Sequence, residues 1–160
     1  LPAAVTVTAT IEFEDDLTEL LPYLNAVLGP CVYEPDVPFL RLNRKDKPIA
    51  VYPRKIAIAG LRDQDEANEV FAWVRESINS IAARIQEIEP SYWSLSEIKP
   101  LDIFKLLPRT NCGECVQSTC MAFAAALANG EGNPDDCPGL LEARFAENRS
   151  RLLKLFRRPT

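Results

Sequence analysis

The stretch NCGECVQSTC, which runs from Asn111 to Cys120, places three cysteines in nine residues with the spacing C-x2-C-x4-C. A fourth cysteine follows as Cys137-Pro138, after sixteen intervening residues. Four of the five cysteines therefore fall within 26 of the 160 residues. Such a cluster is typical of a metal site, because grouped thiolates repel one another unless a cation holds them together.

The spacing of the cysteines distinguishes between kinds of metal site. Structural zinc favours two separate C-x2-C turns, each of which supplies two corners of a tetrahedron. Here Cys112 and Cys115 run on to Cys120, and Cys137 stands alone. This arrangement suits a cubane, in which one loop wraps three corners and a remote segment closes the fourth. We therefore predict a [4Fe-4S] cluster bound by these four cysteines, with zinc as the alternative cofactor and two disulfides as a third interpretation.

The residues around the cysteines favour an anionic group. Cys120 is predicted in the first turn of a helix that Ser118 or Thr119 caps, and Cys137 just before the last helix of the chain. Both thiolates would then lie at the positive end of a helix dipole. Gly113 allows the backbone to approach inorganic sulfide closely, so that amide N–H groups can donate to it.

The composition excludes several functional classes. The chain contains no histidine, which removes histidine metal sites and the Ser-His and Cys-His nucleophilic pairs. No catalytic residue is predicted. The net charge is −5, and residues 101–160 carry only eight basic against seven acidic side chains, so neither half has the basic excess of a nucleic-acid binder. The basic stretch from Arg144 onward is interpreted as a solvated helix face, with a docking surface for an acidic protein as the alternative.

Hydropathy bears on location. No apolar stretch approaches the roughly 18–20 residues that a bilayer span requires, and no charged-then-apolar signal pattern stands at the start of the sequence. We therefore expect a cytoplasmic protein without a membrane span.

The first hundred residues carry both strand and helix patterns. Apolar residues alternate with threonines from Val5 to Phe13, which predicts a half-buried strand. Further elements are predicted as a helix over Leu17–Leu28, strands around Phe39–Leu42, Ile49–Tyr52 and Ile56–Ala59, and a hairpin turn over residues 43–47. A long helix over Gln64–Ile88, capped by Asp63, follows. Its apolar stripe is interpreted as core, with a homodimer seam as the alternative.

The chain changes character after this helix. Glu89-Pro90 ends the helix, and Ser91–Pro100 is interpreted as a linker, after which no strand pattern appears. We predict an α+β fold: a domain over 1–95, with a small antiparallel sheet and helices on one face, then a mainly helical cluster-binding domain over 96–160. Cys31, outside the motif, is predicted to be a small buried apolar side chain.

The segment from Leu101 to Ala124, with its runs LPRTNCGEC and STCMAFA, resembles a known cluster domain. It is similar to the N-terminal [4Fe-4S] domain of the large subunit of the corrinoid iron–sulfur protein of the acetyl-CoA pathway, and to related domains of Rnf-type complexes. The resemblance covers about residues 99–140 and includes all four cysteines; Val116 departs from it, because the family often has glycine there. The whole chain also resembles small iron–sulfur proteins of anaerobic bacteria and archaea.

The resemblance implies that Cys112, Cys115, Cys120 and Cys137 bind one low-potential cluster that passes single electrons. In the corrinoid protein those electrons reactivate oxidised cobalamin. We therefore expect an electron-transfer or accessory protein rather than an enzyme, with a protein redox partner, such as a corrinoid protein, in one-carbon metabolism. The first domain would recognise the partner. The alternative is a non-redox interaction module whose four cysteines bind zinc or a structural cluster.

Overall fold

The fold is α+β, as the sequence predicts, in a computed structural model that describes residues 5–157. The chain divides after Tyr92 into two compact units. The first unit contains β1 (Val7–Glu12), α1 (Leu21–Leu28), β2 (Val32–Glu34), β3 (Phe39–Arg44), β4 (Lys47–Tyr52), β5 (Lys55–Leu61) and α2 (Gln64–Ala83). The second contains α3 (Pro100–Phe104), α4 (Cys120–Ala128), α5 (Ala146–Leu155) and several short 3-10 turns. The assignment of 1–95 and 96–160 as separate domains stays a prediction.

The strands of the first unit form one antiparallel sheet in the order β1-β5-β4-β3-β2. Side chains along each strand point alternately to the two faces of the sheet, and the apolar side chains on one face pack against the helices. The buried core comprises Leu21 and Leu24 of α1, Leu40, Leu42, Ile49, Val51, Ile56, Ile58 and Leu61 of the strands, and Ala67, Val70, Val74 and Ile81 of α2. Cys31 is fully buried in this core, so its predicted role as a small apolar side chain is confirmed.

The predicted hairpin is confirmed and has an identifiable turn. Lys45 and Asp46, between β3 and β4, both have positive φ, 46° and 62°. Two consecutive residues in that region make the two-residue turn whose twist matches antiparallel strands. Strand β2 was not predicted, because only three residues pair before Pro35 and so short a run carries no alternation signal.

Helix α2 begins where predicted and ends earlier. The Asp63 side chain accepts a hydrogen bond from the Glu66 N–H at 2.8 Å, which confirms the predicted cap. The helix ends at Ala83 and a 3-10 turn follows, so the predicted end at Ile88 was wrong. Ala67, Val70, Val74 and Ile81 of this helix are buried in the core, and the half-buried Phe71 packs against it. The buried residues therefore support the core interpretation of this helix.

The Glu66 carboxylate links the start of α2 to the sheet. It accepts a hydrogen bond from the Arg62 N–H at 2.7 Å and lies 3.6 Å from the Lys47 ammonium. That ammonium also donates to the Gly60 carbonyl at 2.7 Å. The Arg62 hydrogen bond, with the nearby positive charges, lowers the pKa of Glu66 below its ordinary value although partial burial opposes this.

We expect the Glu66→Gln variant to be less stable than the wild type near neutral pH. Because the folded-state pKa is lowered, the carboxylate stabilises the fold above its unfolded-state pKa, and this stability is lost as the pH falls through the folded-state value. The difference between the two proteins should therefore disappear in acid. Urea unfolding measures this difference in the free energy of unfolding at several pH values between about 3 and 7. That range includes the ordinary pKa values of carboxyl groups. Glu76→Gln, an exposed change on the same helix, is the matched control and should leave the stability at neutral pH close to that of the wild type.

The second unit begins in a segment that is more ordered than predicted. Ser94 caps a 3-10 turn over Leu95–Glu97, with its Oγ accepting from the Ser96 N–H at 3.2 Å. Leu95 is buried, as are Ser91 and Ser94. The division between the two units lies within the predicted linker Ser91–Pro100, and this segment is ordered, with Ser94 capping a turn.

Helices α3, α4 and α5 enclose a second core. Its buried members are Ile103, Leu107, Cys120, Phe123, Ala124, Leu127, Ala128, Cys137, Leu140 and Leu152. The Asn148 side chain of α5 donates to the Leu106 carbonyl at 3.2 Å, which holds α5 against the end of α3. Two of the predicted cluster ligands are thus part of the packing of this unit. Among residues 5–157, no helix combines the length and the apolar character that crossing a membrane would need.

Candidate metal centre

The loop that carries Cys112 and Cys115 and leads to Cys120 has an unusual backbone. It runs from Pro108 to Thr119, and φ is positive at Arg109 (60°), Asn111 (49°) and Gly113 (70°), but not at the residues between them. Backbone that alternates between right-handed and left-handed conformations turns successive N–H groups toward one side and forms an anion-binding concavity. Glycine and asparagine adopt the left-handed region most readily. Left-handed backbone at three alternate positions is thus compatible with an anion-binding loop.

Two polar side chains hold this loop on the start of α4. The Asn111 Oδ1 accepts a hydrogen bond from the Cys120 N–H at 2.9 Å. The Thr119 Oγ1 accepts from the Ala122 N–H at 3.1 Å, so Thr119 and not Ser118 is the cap. Cys120 therefore lies in the first turn of α4, as predicted. Its N–H is hydrogen-bonded to a side chain nine positions earlier in the chain. Sequence reasoning missed Asn111, because a single side chain that reaches so far leaves no periodic signal.

Cys137 is positioned by a short turn instead of a long helix. It precedes the 3-10 turn Pro138–Leu141, and extended backbone at Glu142 separates that turn from later ones. The last α-helix begins only at Ala146, so the prediction that it starts beside Cys137 was wrong. Proline and glycine at 138 and 139 are poor residues for a helix interior, which accounts for the difference. The Leu140 N–H donates to the Cys137 carbonyl at 3.2 Å, and the N–H groups of Leu140 and Gly139 act to lower the pKa of the Cys137 thiol.

A glycine brings the remote cysteine against the cysteine loop. A Cβ on Gly139 would lie 2.8 Å from Cγ and 3.3 Å from Cβ of Pro108, and 3.9 Å from the Cys137 sulfur. Contacts below 3 Å do not occur between a real Cβ and its neighbours, so only glycine allows this approach. The turn that carries Cys137 thus packs on Pro108, the first residue of the loop that carries Cys112 and Cys115.

Three of the four predicted ligands lie in or against the core of the second unit. Cys120 and Cys137 are buried in the core of the second unit, and the half-buried Cys115 packs against that core. Burial raises the pKa of the Cys137 thiol, and the neighbouring Cys115 and Cys120 raise it further against the effect of its two N–H donors. Cys112 is exposed on the loop, outside this group.

All five cysteines are free thiols, and Cys115 donates to the Gln117 carbonyl at 3.5 Å. Within residues 5–157, no three or more His, Cys, Asp or Glu side chains form a group arranged to hold a single metal ion. The donor set nevertheless fits an iron–sulfur cluster in its chemistry. It consists of thiols without imidazole, and backbone N–H groups that can donate to sulfur surround it.

Comparison with known proteins supports the same chemistry. A family model described as "Putative Fe-S cluster" matches residues 107–138, which include all four cysteines of the motif. The chain therefore contains an iron–sulfur cluster domain. No solved structure matches the chain.

Several related proteins are subunits of the acetyl-CoA decarbonylase/synthase complex. The acetyl-CoA decarbonylase/synthase complex subunit gamma 1 of Methanosarcina mazei is 51% identical over 57 residues, which are 35% of this chain and 12% of that protein. The subunit gamma 2 of Methanosarcina thermophila is 49% identical with the same coverage. The subunit gamma of Methanocaldococcus jannaschii is 41% identical over 63 residues, or 39% of this chain and 13% of that protein. The chain thus spans about an eighth of these relatives, and carries an iron–sulfur domain related to part of their gamma subunit.

Proposed function

We propose that this chain carries one [4Fe-4S] cluster and transfers single electrons to a protein partner. The ligands are Cys112, Cys115, Cys120 and Cys137. The observation that supports the proposal is that Cys115, Cys120 and Cys137 lie in or against one core, that of the second unit, and that Cys115 and Cys120 both act on the pKa of the Cys137 thiol. Cys112 lies in the same loop as Cys115 and Cys120, at the exposed end of the motif.

The residues of the site have distinct tasks. The N–H groups of Gly139 and Leu140 stabilise negative charge on the Cys137 sulfur, and the Asn111 side chain holds Cys120 at the start of α4. Burial of Cys120 and Cys137 keeps water from that side. A bound cluster supplies a one-electron couple whose potential depends on charge, hydrogen bonds and exposure. The exposed segment with Cys112 and Glu114 is the side on which a partner can approach.

The partner is proposed from the relatives. Their names place them in the acetyl-CoA decarbonylase/synthase complex, so protein partners and one-carbon metabolism are the natural setting for a related domain. We propose that the electrons serve corrinoid-linked chemistry there, and that the first unit recognises the partner. A catalytic role is not proposed.

We expect anaerobically purified protein to contain about four iron and four sulfide per chain, with a broad charge-transfer absorption that bleaches on reduction with dithionite. Iron, sulfide and zinc analysis with spectra before and after dithionite measures this. One zinc per chain without colour would contradict the proposal and favour the interaction module. A coloured protein that does not bleach would leave the cluster in place and contradict the electron-transfer role.

A further inference from the structure

The sheet of the first unit has two edges that differ in their protection. The β2 edge is three residues long and is followed by Pro35 and Asp36. Short strands, proline and charge are the common means of preventing pairing with another chain. The β1 edge is six residues long and has neither proline, lysine nor glycine, and Glu12 is its one charged residue. Strand β1 therefore offers an unprotected row of backbone donors and acceptors.

The apolar side of β1 is incompletely covered. Val7 and Ile11 are 47% and 42% exposed, although they point to the same side of the sheet as Phe13. Between this strand and α2 lies a groove of about 580 Å³, which Ile11 and Phe13 line from one side and Phe71 and Ile78 from the other. The face of the first strand that was predicted to be half-buried is thus partly open to solvent.

The chain itself contains the strand that fits this edge. An added strand must place apolar side chains on the groove side and polar ones on the other. The run from Val5 to Phe13 has this pattern, with valine, alanine, isoleucine and phenylalanine at odd positions and threonine or glutamate at even ones. A second copy of β1, antiparallel to the first, would present the same pattern, as a two-fold symmetric interface requires.

The charges also fit a second copy. Antiparallel pairing centred on Ala9 places Val7 opposite Ile11 and Thr8 opposite Thr10 of the other copy. Glu12 then faces Thr6, and the two Glu12 carboxylates lie about 20 Å apart along the strands. Like charges that face each other directly would oppose pairing, and this register has none.

We propose that the chain forms a symmetric homodimer through β1, so that one continuous antiparallel sheet runs through both copies and each β1 covers the open apolar side of the other. The interface uses only the first unit and does not depend on the proposed cluster. It differs from the dimer seam considered along α2, whose buried residues pack on the chain's own sheet.

The test exploits the pairing of Thr8 with Thr10, both of which are exposed. In the variant Thr8→Lys/Thr10→Lys, the introduced lysines of one copy face those of the other in both halves of the interface. In the matched control Thr8→Lys/Thr10→Glu, each lysine faces a glutamate. Both variants change the same two exposed positions, so circular dichroism melting establishes that each remains folded.

Sedimentation equilibrium of the full-length chain over a range of concentrations measures the outcome. We expect a dimer for the wild type, and a dissociation constant at least about tenfold higher for the double-lysine variant than for the lysine–glutamate control. A wild-type chain that is monomeric at high micromolar concentration would overturn the proposal and leave the edge to another occupant. A dimer that both variants weaken equally, or that neither weakens, would show that the copies meet elsewhere or in another register.

Discussion

The Cys115→Ser variant is expected to lose its iron and to unfold the second unit while the first unit stays folded. A serine hydroxyl has nearly the shape of a thiol but is not deprotonated at neutral pH, so it does not replace a thiolate ligand. Cys115 is half-buried against the core that holds Cys120 and Cys137. In so small a unit, the free energy of cluster binding is a large part of the folding free energy.

Hydrogen exchange separates the two units in this experiment. Amides of α4 and α5 should lose protection in Cys115→Ser, whereas those of β3, β4 and β5 should keep it. That outcome would also support the assignment of 1–95 and 96–160 as separate domains. Full iron content in this variant would contradict the ligand set, and equal loss of protection in both units would contradict the two-domain assignment.

Cys31 offers a matched control for this change. It is fully buried in the core of the first unit and lies outside the cysteine motif. The Cys31→Ser variant places a hydroxyl in an apolar core, so it should lower the stability of the first unit and leave the iron content unchanged. Loss of iron from this variant would mean that Cys31 takes part in binding.

The cysteine motif and most elements could be predicted from the sequence because each depends on local residue order. The C-x2-C-x4-C run and the helix cap at Thr119 each depend on a few neighbouring residues. Alternation and period 3.6 identified the long strands and α2 in the same way. Elements too short for a period, such as β2 and the 3-10 turn Pro138–Leu141, fell outside that reasoning.

The parts that could not be predicted are contacts between distant residues. Nothing near Asn111 indicates that its side chain binds the Cys120 N–H, and nothing near Gly139 indicates that it packs on Pro108. Alternation in β1 shows that one side is apolar but not what covers it, which is why its exposure was unexpected. Whether two distant segments come into contact depends on the packing of the whole unit. The residues near either segment therefore do not reveal the contact.

The Gly139→Ala variant is expected to lose stability in the second unit and to retain less iron. The added methyl group would meet Pro108 at 2.8 Å, and a proline ring next to the buried Leu107 has little room to move. Overpacking of this kind costs about 1–3 kcal/mol. Replacing glycine by alanine also restricts the unfolded chain, which stabilises by about 0.4–1 kcal/mol. The cost of the clash therefore exceeds the gain from the restricted unfolded chain. If the turn Pro138–Leu141 moved to relieve the clash, it would displace the Cys137 sulfur.

Gly132→Ala is the matched control, because the nearest atom to its added methyl group is Leu127 Cδ2 at an ordinary 3.5 Å. This variant should match or slightly exceed the wild type in stability and iron content. The double variant Gly139→Ala/Pro108→Ala removes the ring atom in the closest contact and should recover part of the loss, since the two positions interact directly. If Gly139→Ala behaves like Gly132→Ala, the close approach of the two segments does not hold the remote cysteine in place. If the loss appears and the double variant restores iron together with stability, the contact between residues 108 and 139 is what positions Cys137 near Cys115 and Cys120.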